Sequence, residues 1–150
     1  MTGDSIDVNF SELTRLAADL GKVPVNAGPL IGAAFKEAAV KVRDDARDKV
    51  AAGSPAWSGL PSSIDYEIKG GGSGNALSAV TGAVTSSINA DVGYNKARGG
   101  GKLGNIREFG APAKNTRPHN DLANALEENQ EAFVAALDKA TQAAERQANL

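Results

Sequence analysis

The sequence predicts an α+β protein in which a small antiparallel β-sheet is packed by a long N-terminal helix and a C-terminal helix. Two amphipathic stretches with helical spacing, one in each half of the chain, predict the helices. Between them, segments of alternating apolar and polar residues are typical of strands with one buried face. The chain has 150 residues, so we expect one domain over 1–150.

The N-terminal half predicts two helices that follow an extended, flexible arm over about residues 1–8. Gly21 and Pro24 predict the end of the first helix, because glycine favours a helix C-terminus and proline cannot continue one. The second helix is predicted over about 29–52, with a proline in its first turn. Its apolar stripe consists of Ile31, Phe35, Ala38, Val42, Ala46 and Val50.

The middle of the chain predicts three strands, over 64–68, 77–81 and 85–94. The alternation of apolar residues gives each strand one buried face. The connections are too short for helical crossovers, which predicts an antiparallel meander. Two glycine-rich connectors, 70–74 and 97–104, interrupt the pattern, and we expect the second to be mobile without a partner.

The last helix is predicted to begin near Asn120 or Asp121 and to fray from about residue 141, where large apolar residues end. Ahead of it, Phe109 is predicted to fill the core, with Gly110 providing a tight turn. Arg107 and Glu108 would then point outward to a neighbouring subunit. The apolar face of the last helix consists of Leu122, Ala125, Leu126, Phe133, Ala136, Leu137 and Ala140.

Composition and motifs argue against catalysis. The chain has no cysteine, which excludes disulfides, thiolate metal sites and cysteine nucleophiles. The single histidine, His119, has no organised set of partners, and the i, i+4 carboxylate pairs (Asp44 with Asp48, Glu127 with Glu131) are typical of a solvated helix surface. Neither glycine-rich connector has the spacing of a phosphate-binding loop. We therefore expect no enzyme activity, no metal and no cofactor.

The charge pattern indicates surfaces for protein partners and not for a membrane. No apolar run approaches the roughly 18 residues of a membrane span, and the net charge of −2 does not favour tight duplex DNA binding. A basic segment over 98–117 precedes an acidic last helix, and the two could meet on neighbouring identical subunits or both be solvated. Trp57 is either an interface anchor or a lid over the core. The candidate interface residues are Trp57, Arg98, Lys102, Arg107, Glu108, Lys114, Arg117, Glu127, Glu128 and Glu131.

The order of these parts carries a family resemblance. A long charged helix, a turn with Trp57 and a meander ending at Gly93-Tyr94 precede Glu108-Phe109-Gly110, Arg117-Pro118 and the Ala125–Asn129 stretch of the last helix. Over roughly 26–140 this resembles the tailed-phage neck family of head–tail connector, head–tail joining, minor capsid and tail-completion proteins. The chain departs from the family pattern at two places. After the Arg-Pro pair, family members often continue with Phe-Leu and a second proline, whereas this chain has His119–Asn124. The glycine-rich segment 97–104 also resembles an insertion.

The resemblance implies a structural virion protein that forms a homo-oligomeric ring, sixfold or twelvefold, at the head–tail junction. Its partners would be its own copies, other phage connector or stopper proteins, and portal-side and tail-tube proteins. Genomic DNA would pass through without sequence-specific binding. The location would be the virion, and the host cytoplasm during assembly. Two alternatives stay open: a tail terminator capping the tail tube, and a nucleic-acid-binding module that uses the basic loop 98–117.

Overall fold

A computed structural model describes residues 10–69 and 89–149, with side chains at 19, 26–68 and 90–149. It confirms the α+β class. The long helix α1 (Phe10–Ala51) and the C-terminal helix α3 (Asp121–Gln147) pack a two-stranded antiparallel sheet of β1 (Ile64–Lys69) and β2 (Asn89–Tyr94). A short helix, α2 (Gly101–Phe109), connects the sheet to α3. The predicted arm 1–8, the connector 70–74, the strand 77–81 and the start of 85–94 lie outside the described residues.

Helix α3 runs antiparallel beside α1. The rings of Phe35 and Phe133 meet edge to face with centroids 4.9 Å apart. Nearer the C-terminal end of α1, Lys49 Nζ lies 2.8 Å from Glu128 Oε1, on an earlier turn of α3. The prediction that the last helix frays from about residue 141 is wrong, since α3 continues to Gln147 and Ala144 is fully buried. Small alanine side chains allow the two helices to approach closely, so burial holds this end without large apolar residues.

The prediction of two N-terminal helices is wrong, because α1 continues through Gly21, Pro24 and Pro29. A proline inside a helix costs about 3 kcal/mol through a lost hydrogen bond and a steric clash. Most helical stability in proteins comes from tertiary packing of an apolar face, which can offset such a local cost. The buried Ala34 and Ala39 show that α1 is packed soon after the second proline.

The predicted strand pattern agrees with the observed register. Tyr66 pairs with Val92 and Ile68 with Ala90, so the alternating apolar residues of both strands share one face. That face lies on α1, where the predicted stripe supplies the buried Val42, Ala46 and Val50. The core cluster contains Val42, Ala46, Val50, Leu60, Ile64 and Ala125, with Trp57, Val92, Tyr94 and Leu122 packed against it.

The glycine-rich segment 97–104 is not the irregular loop that the sequence predicts, because it contains helical structure. Gly99 adopts a φ of 78° and ends a short 3₁₀ helix, after which α2 begins at Gly101. A Cβ atom on Gly104 would overlap Cγ of the Tyr94 ring. Because these glycines have no side chain, α2 can lie directly against the end of the sheet. Only the tertiary structure shows this reason for glycine at these positions.

Candidate interaction surface and the buried joint beneath it

A cluster of buried charged residues connects α2 to the start of α3. Arg107, Glu108 and Asp121 are only 2, 4 and 6% exposed, and we call them the buried joint. Arg107 Nε donates to Asp121 Oδ2 at 2.6 Å, and Arg107 Nη2 donates to the backbone oxygen of Lys49 at 3.3 Å. Charges removed from water are tolerated when they are paired and hydrogen-bonded in this way.

The guanidinium of Arg107 also contacts the loop that follows α1. Its Cζ atom lies 5.6 Å from the ring centroid of Trp57, a cation–π contact. Arg107 Nη1 has no hydrogen-bond partner within the described part of the chain, and it would lie 2.8 Å from a Cβ atom on Gly53. Trp57 thus covers both the core and the joint, which matches the lid interpretation of this residue.

Glu108 caps the N-terminus of α3 from a different helix. Its Oε2 and Oε1 atoms accept hydrogen bonds from the backbone N–H groups of Leu122 and Ala123, both at 3.1 Å. The first N–H groups of a helix have no partner inside it and carry partial positive charge, so a carboxylate there is stabilising. Asn120, which precedes the helix, makes no side-chain cap of its own among the described contacts.

The expected roles of three consecutive residues are reversed. Arg107 and Glu108, predicted to point outward, are buried, whereas Phe109, predicted to fill the core, is 73% exposed. The joint explains the inversion, since Asp121 and the start of α3 give both charges partners inside the fold. Gly110 has the tight-turn conformation that the sequence predicts, with a φ of 78°.

Tyr94 lies beside the buried joint. Burial, together with the nearby carboxylates of Asp121 and Glu108, raises the pKa of its phenol to about 12, although Arg107 acts to lower it. Its hydroxyl oxygen has no hydrogen-bond partner among the described residues. The phenol is therefore held in its neutral form by its surroundings.

The other predicted basic residues are exposed on or near α2. Arg98 Nη2 lies 3.3 Å from Asp65 Oδ2. For Lys102, Lys114 and Arg117, no ion-pair partner lies within the described ranges, and all three are exposed. Leu103, which was not among the predicted surface residues, is 52% exposed on the same short helix. The exposed residues of this segment include Lys102, Leu103, Phe109, Lys114 and Arg117.

An apolar groove of about 610 Å³ lies between α1, β2 and α3. Its lining includes Phe35, Val42, Val92, Leu122, Leu126 and Phe133. Leu126, predicted on the buried face of α3, is 62% exposed because it stands in this groove and not in the core. The groove has no signature in the sequence, since its walls come from three separated segments.

Glu127 lies beside the groove along α3. Ala123 and Gln130 line the groove, and Glu127 lies between them on the same side of the helix, at i+4 and i−3. Glu131, five residues after Leu126, points away from the residues that line the groove, and both glutamates are exposed. Glu128, by contrast, is paired with Lys49 and faces α1.

Other kinds of site find little support in the described residues. These residues contain no cluster of three or more metal-ligating side chains arranged to hold an ion. Within the same ranges, no helix has the length and apolar character needed to cross a membrane. Comparisons with protein-family models, curated proteins and solved structures give no match. The resemblance to tailed-phage neck proteins therefore rests on the sequence pattern.

Proposed function

We propose that this chain is a structural virion protein that forms a ring at the head–tail junction of a tailed phage. In this role it joins the portal side of the capsid to the tail and lets DNA pass. The observation that carries the proposal is the exposed Phe109, which belongs to the Glu108-Phe109-Gly110 motif of the family resemblance. An exposed aromatic side chain is typical of a protein-binding surface.

The residues that carry the resemblance have structural roles suited to such a surface. Glu108 caps α3 and Gly110 forms the turn, so the two residues that flank Phe109 fix its position. A heterologous contact between identical subunits forms a ring when its rotation closes. In this scheme, copies of the chain form a ring of sixfold or twelvefold symmetry. The ring contacts portal-side and tail-tube proteins through complementary surfaces.

The proposal is tested in the phage that encodes the chain. Disrupting the gene should give filled heads and separate tails, and adding the purified protein should restore joined particles. Joined, infectious particles that form without the chain would overturn the proposal. Immunolabelling and electron microscopy of the unjoined parts separate two roles: the chain on heads indicates a connector, and the chain on free tails indicates the tail terminator.

A nucleic-acid-binding module is the second candidate, favoured by the exposed side chains of Lys102, Lys114 and Arg117. Arg107 is not available for this role because it is buried. If each of the three contacts one phosphate, log K should fall against log salt with a slope of roughly −3. Fluorescence anisotropy with duplex DNA at low salt would measure this, using the triple alanine variant as control. Binding that survives the triple substitution, or no binding at all, would reject this candidate.

A further inference from the structure

We propose that α1 contains a hinge at the turn from Leu20 to Pro24, where the N-terminal part of the helix can bend away from the rest. Residues 10–20, which we call the arm, then change direction while the remainder of α1 stays packed against α3. This hinge is a property of the free chain and does not depend on the proposed function. Two features of the molecule indicate it: the residue types of this turn and the position at which α3 ends along α1.

The turn combines three residues that each weaken a helix locally. Pro24 has no N–H group, so the backbone oxygen of Leu20 loses the hydrogen bond that a helix would otherwise give it. Val23 precedes a proline, a position at which an extended backbone is favoured, and its β-branched side chain adds to that preference. Gly21 gains the most backbone freedom when the helix opens. Opening α1 at this turn therefore costs less than opening it at a turn of ordinary residues.

Helix α3 ends along α1 at this same turn. Ala34 of α1 and Ala136 of α3 line one small pocket between the two antiparallel helices, so they lie at about the same height. Eleven residues separate Ala136 from Gln147, the last residue of α3, and eleven residues before Ala34 lies Val23. Because both helices rise by about 1.5 Å per residue, α3 extends along α1 only to about Val23. The arm therefore lies beyond the end of α3.

The other proline inside α1 lies where α3 still covers the helix. By the same spacing, Pro29 is beside the segment of α3 that contains Ala140 and Ala144. These two alanines are 8 and 0% exposed, so the two helices pack closely there. A bend at Pro29 would separate these buried surfaces, whereas a bend at Pro24 leaves them together. Packing between α1 and α3 thus selects Pro24 as the hinge.

The straight helix is one of the two states of the hinge. In this structure α1 continues through Pro24, and Asp19 on the arm is only 8% exposed, so the arm has contacts in the straight state. A bend releases those contacts and leaves the core cluster around Val42 and Ala46 intact, because that cluster lies further along α1. A partner that binds the arm better in one direction would shift the balance between the two states.

The first test measures the direction of the arm in solution. The chain has no cysteine, so spin labels can be attached at two introduced cysteines. Ser11→Cys with Lys36→Cys places the labels 25 residues apart, on either side of the hinge. The two backbone positions lie about 38 Å apart in a straight helix, and a right-angled bend at the hinge shortens this to about 27 Å. Double electron–electron resonance should show a shorter distance beside that of the straight helix.

A pair of labels within the packed part of α1 gives the reference. Ala33→Cys with Asp48→Cys uses two exposed positions 15 residues apart, which lie about 22 Å from each other in a straight helix. This pair should give one narrow distance. Its width also measures the spread that the labels themselves contribute, so any extra width across the hinge comes from the helix.

The second test removes the hinge by substitution. Gly21→Ala with Pro24→Ala restores the missing N–H group, so the shorter distance should lose population. The Gly→Ala change alone should lower the ratio of bent to straight helix about fourfold, and loss of the proline should lower it further. Gly28→Ala with Pro29→Ala is the matched control, because it makes the same two exchanges beside α3. The methyl added at Gly28 meets no atom of the described residues within 4 Å, and this control should leave the distances unchanged.

Several outcomes would overturn the hinge. They are a single narrow distance at the value of the straight helix in the wild type, a shorter distance that survives Gly21→Ala with Pro24→Ala, or one that disappears in the control at Gly28 and Pro29. Hydrogen exchange distinguishes a bent arm from an unfolded one. The amides of residues 14–18 should stay protected, because the arm moves as a helix. Exchange there at the rate of an unstructured peptide would also reject the hinge.

Discussion

Arg107 Nε lies 2.6 Å from Asp121 Oδ2, and this buried ion pair fixes the start of α3 against the end of α2. The same guanidinium reaches the backbone oxygen of Lys49 near the end of α1. One side chain therefore ties three helices together. The orientation of the exposed Phe109 depends on this arrangement, since it ends the helix that Arg107 anchors.

Arg107→Met should lower the free energy of unfolding by about 3–5 kcal/mol, because it leaves the Asp121 carboxylate buried without its partner. The control is Lys49→Met, which breaks the more exposed pair with Glu128 and should cost much less, because water screens this pair. Urea unfolding followed by circular dichroism measures both. The double variant Arg107→Met with Asp121→Leu should regain part of the loss, as expected when a buried pair becomes apolar. Equal costs for the two single variants would contradict the role of the joint.

Glu108→Ala should lower the free energy of unfolding by about 1–3 kcal/mol, because the N–H groups of Leu122 and Ala123 lose their acceptor. Glu108→Gln should cost less, since it keeps one acceptor oxygen but loses the charge at the helix N-terminus. Glu127→Ala is the control on the exposed surface of α3. Amide hydrogen exchange at Leu122 and Ala123 should rise in Glu108→Ala and stay unchanged in Glu127→Ala. Unchanged protection there would show that another group caps the helix.

Gly104→Ala should lower the free energy of unfolding by about 1–3 kcal/mol or more, since the added methyl would overlap the Tyr94 ring and force α2 off the sheet. Gly59→Ala is a matched control, because no atom of the described residues would lie within 4 Å of its added methyl. That change should stay within about 0.5 kcal/mol. Thermal unfolding of the two variants tests the close approach, which would be refuted if both melted alike.

Phe109→Ala should change the free energy of unfolding of the monomer by no more than about 0.5 kcal/mol, because the ring is exposed. Ile64→Ala, at a fully buried core position, should cost about 2–5 kcal/mol. Chemical denaturation at low protein concentration separates monomer stability from self-association. A large loss in Phe109→Ala under these conditions would place Phe109 in the core, as its hydrophobicity alone suggests.

Tyr94 should make the fold less stable at alkaline pH. Its folded-state pKa of about 12 lies above the ordinary value of 10.0, so the folded state holds the phenolic proton more tightly than the unfolded chain. The resulting stabilisation is complete below the ordinary pKa and is lost as pH rises through the folded-state pKa. Tyr94→Phe should remove this part of the alkaline loss, measured as the difference in unfolding free energy between neutral pH and about pH 11. An identical pH profile in wild type and variant would reject the shifted pKa.

Local patterns in the sequence were sufficient for several parts of the structure. The α+β class, the stripe of Val42, Ala46 and Val50, and the start of α3 at Asp121 follow from periodicity and turn residues. Alternation also predicts that each strand has one apolar face, and in the structure the apolar residues of β1 and β2 share a face. These features depend on neighbours within a few positions along the chain.

The tertiary structure alone decided the continuity of α1 and the surface around Phe109. Local signals at Pro24 and Pro29 favour a break, yet α1 continues through both, and tertiary packing of an apolar face can offset their cost. Hydrophobicity places Phe109 inside and Arg107 outside, yet Asp121, 14 residues further on, provides the partner that makes burying Arg107 favourable. The free energy of a buried charge depends on which groups the fold brings to it, and a contact between distant segments leaves no periodic trace in the sequence.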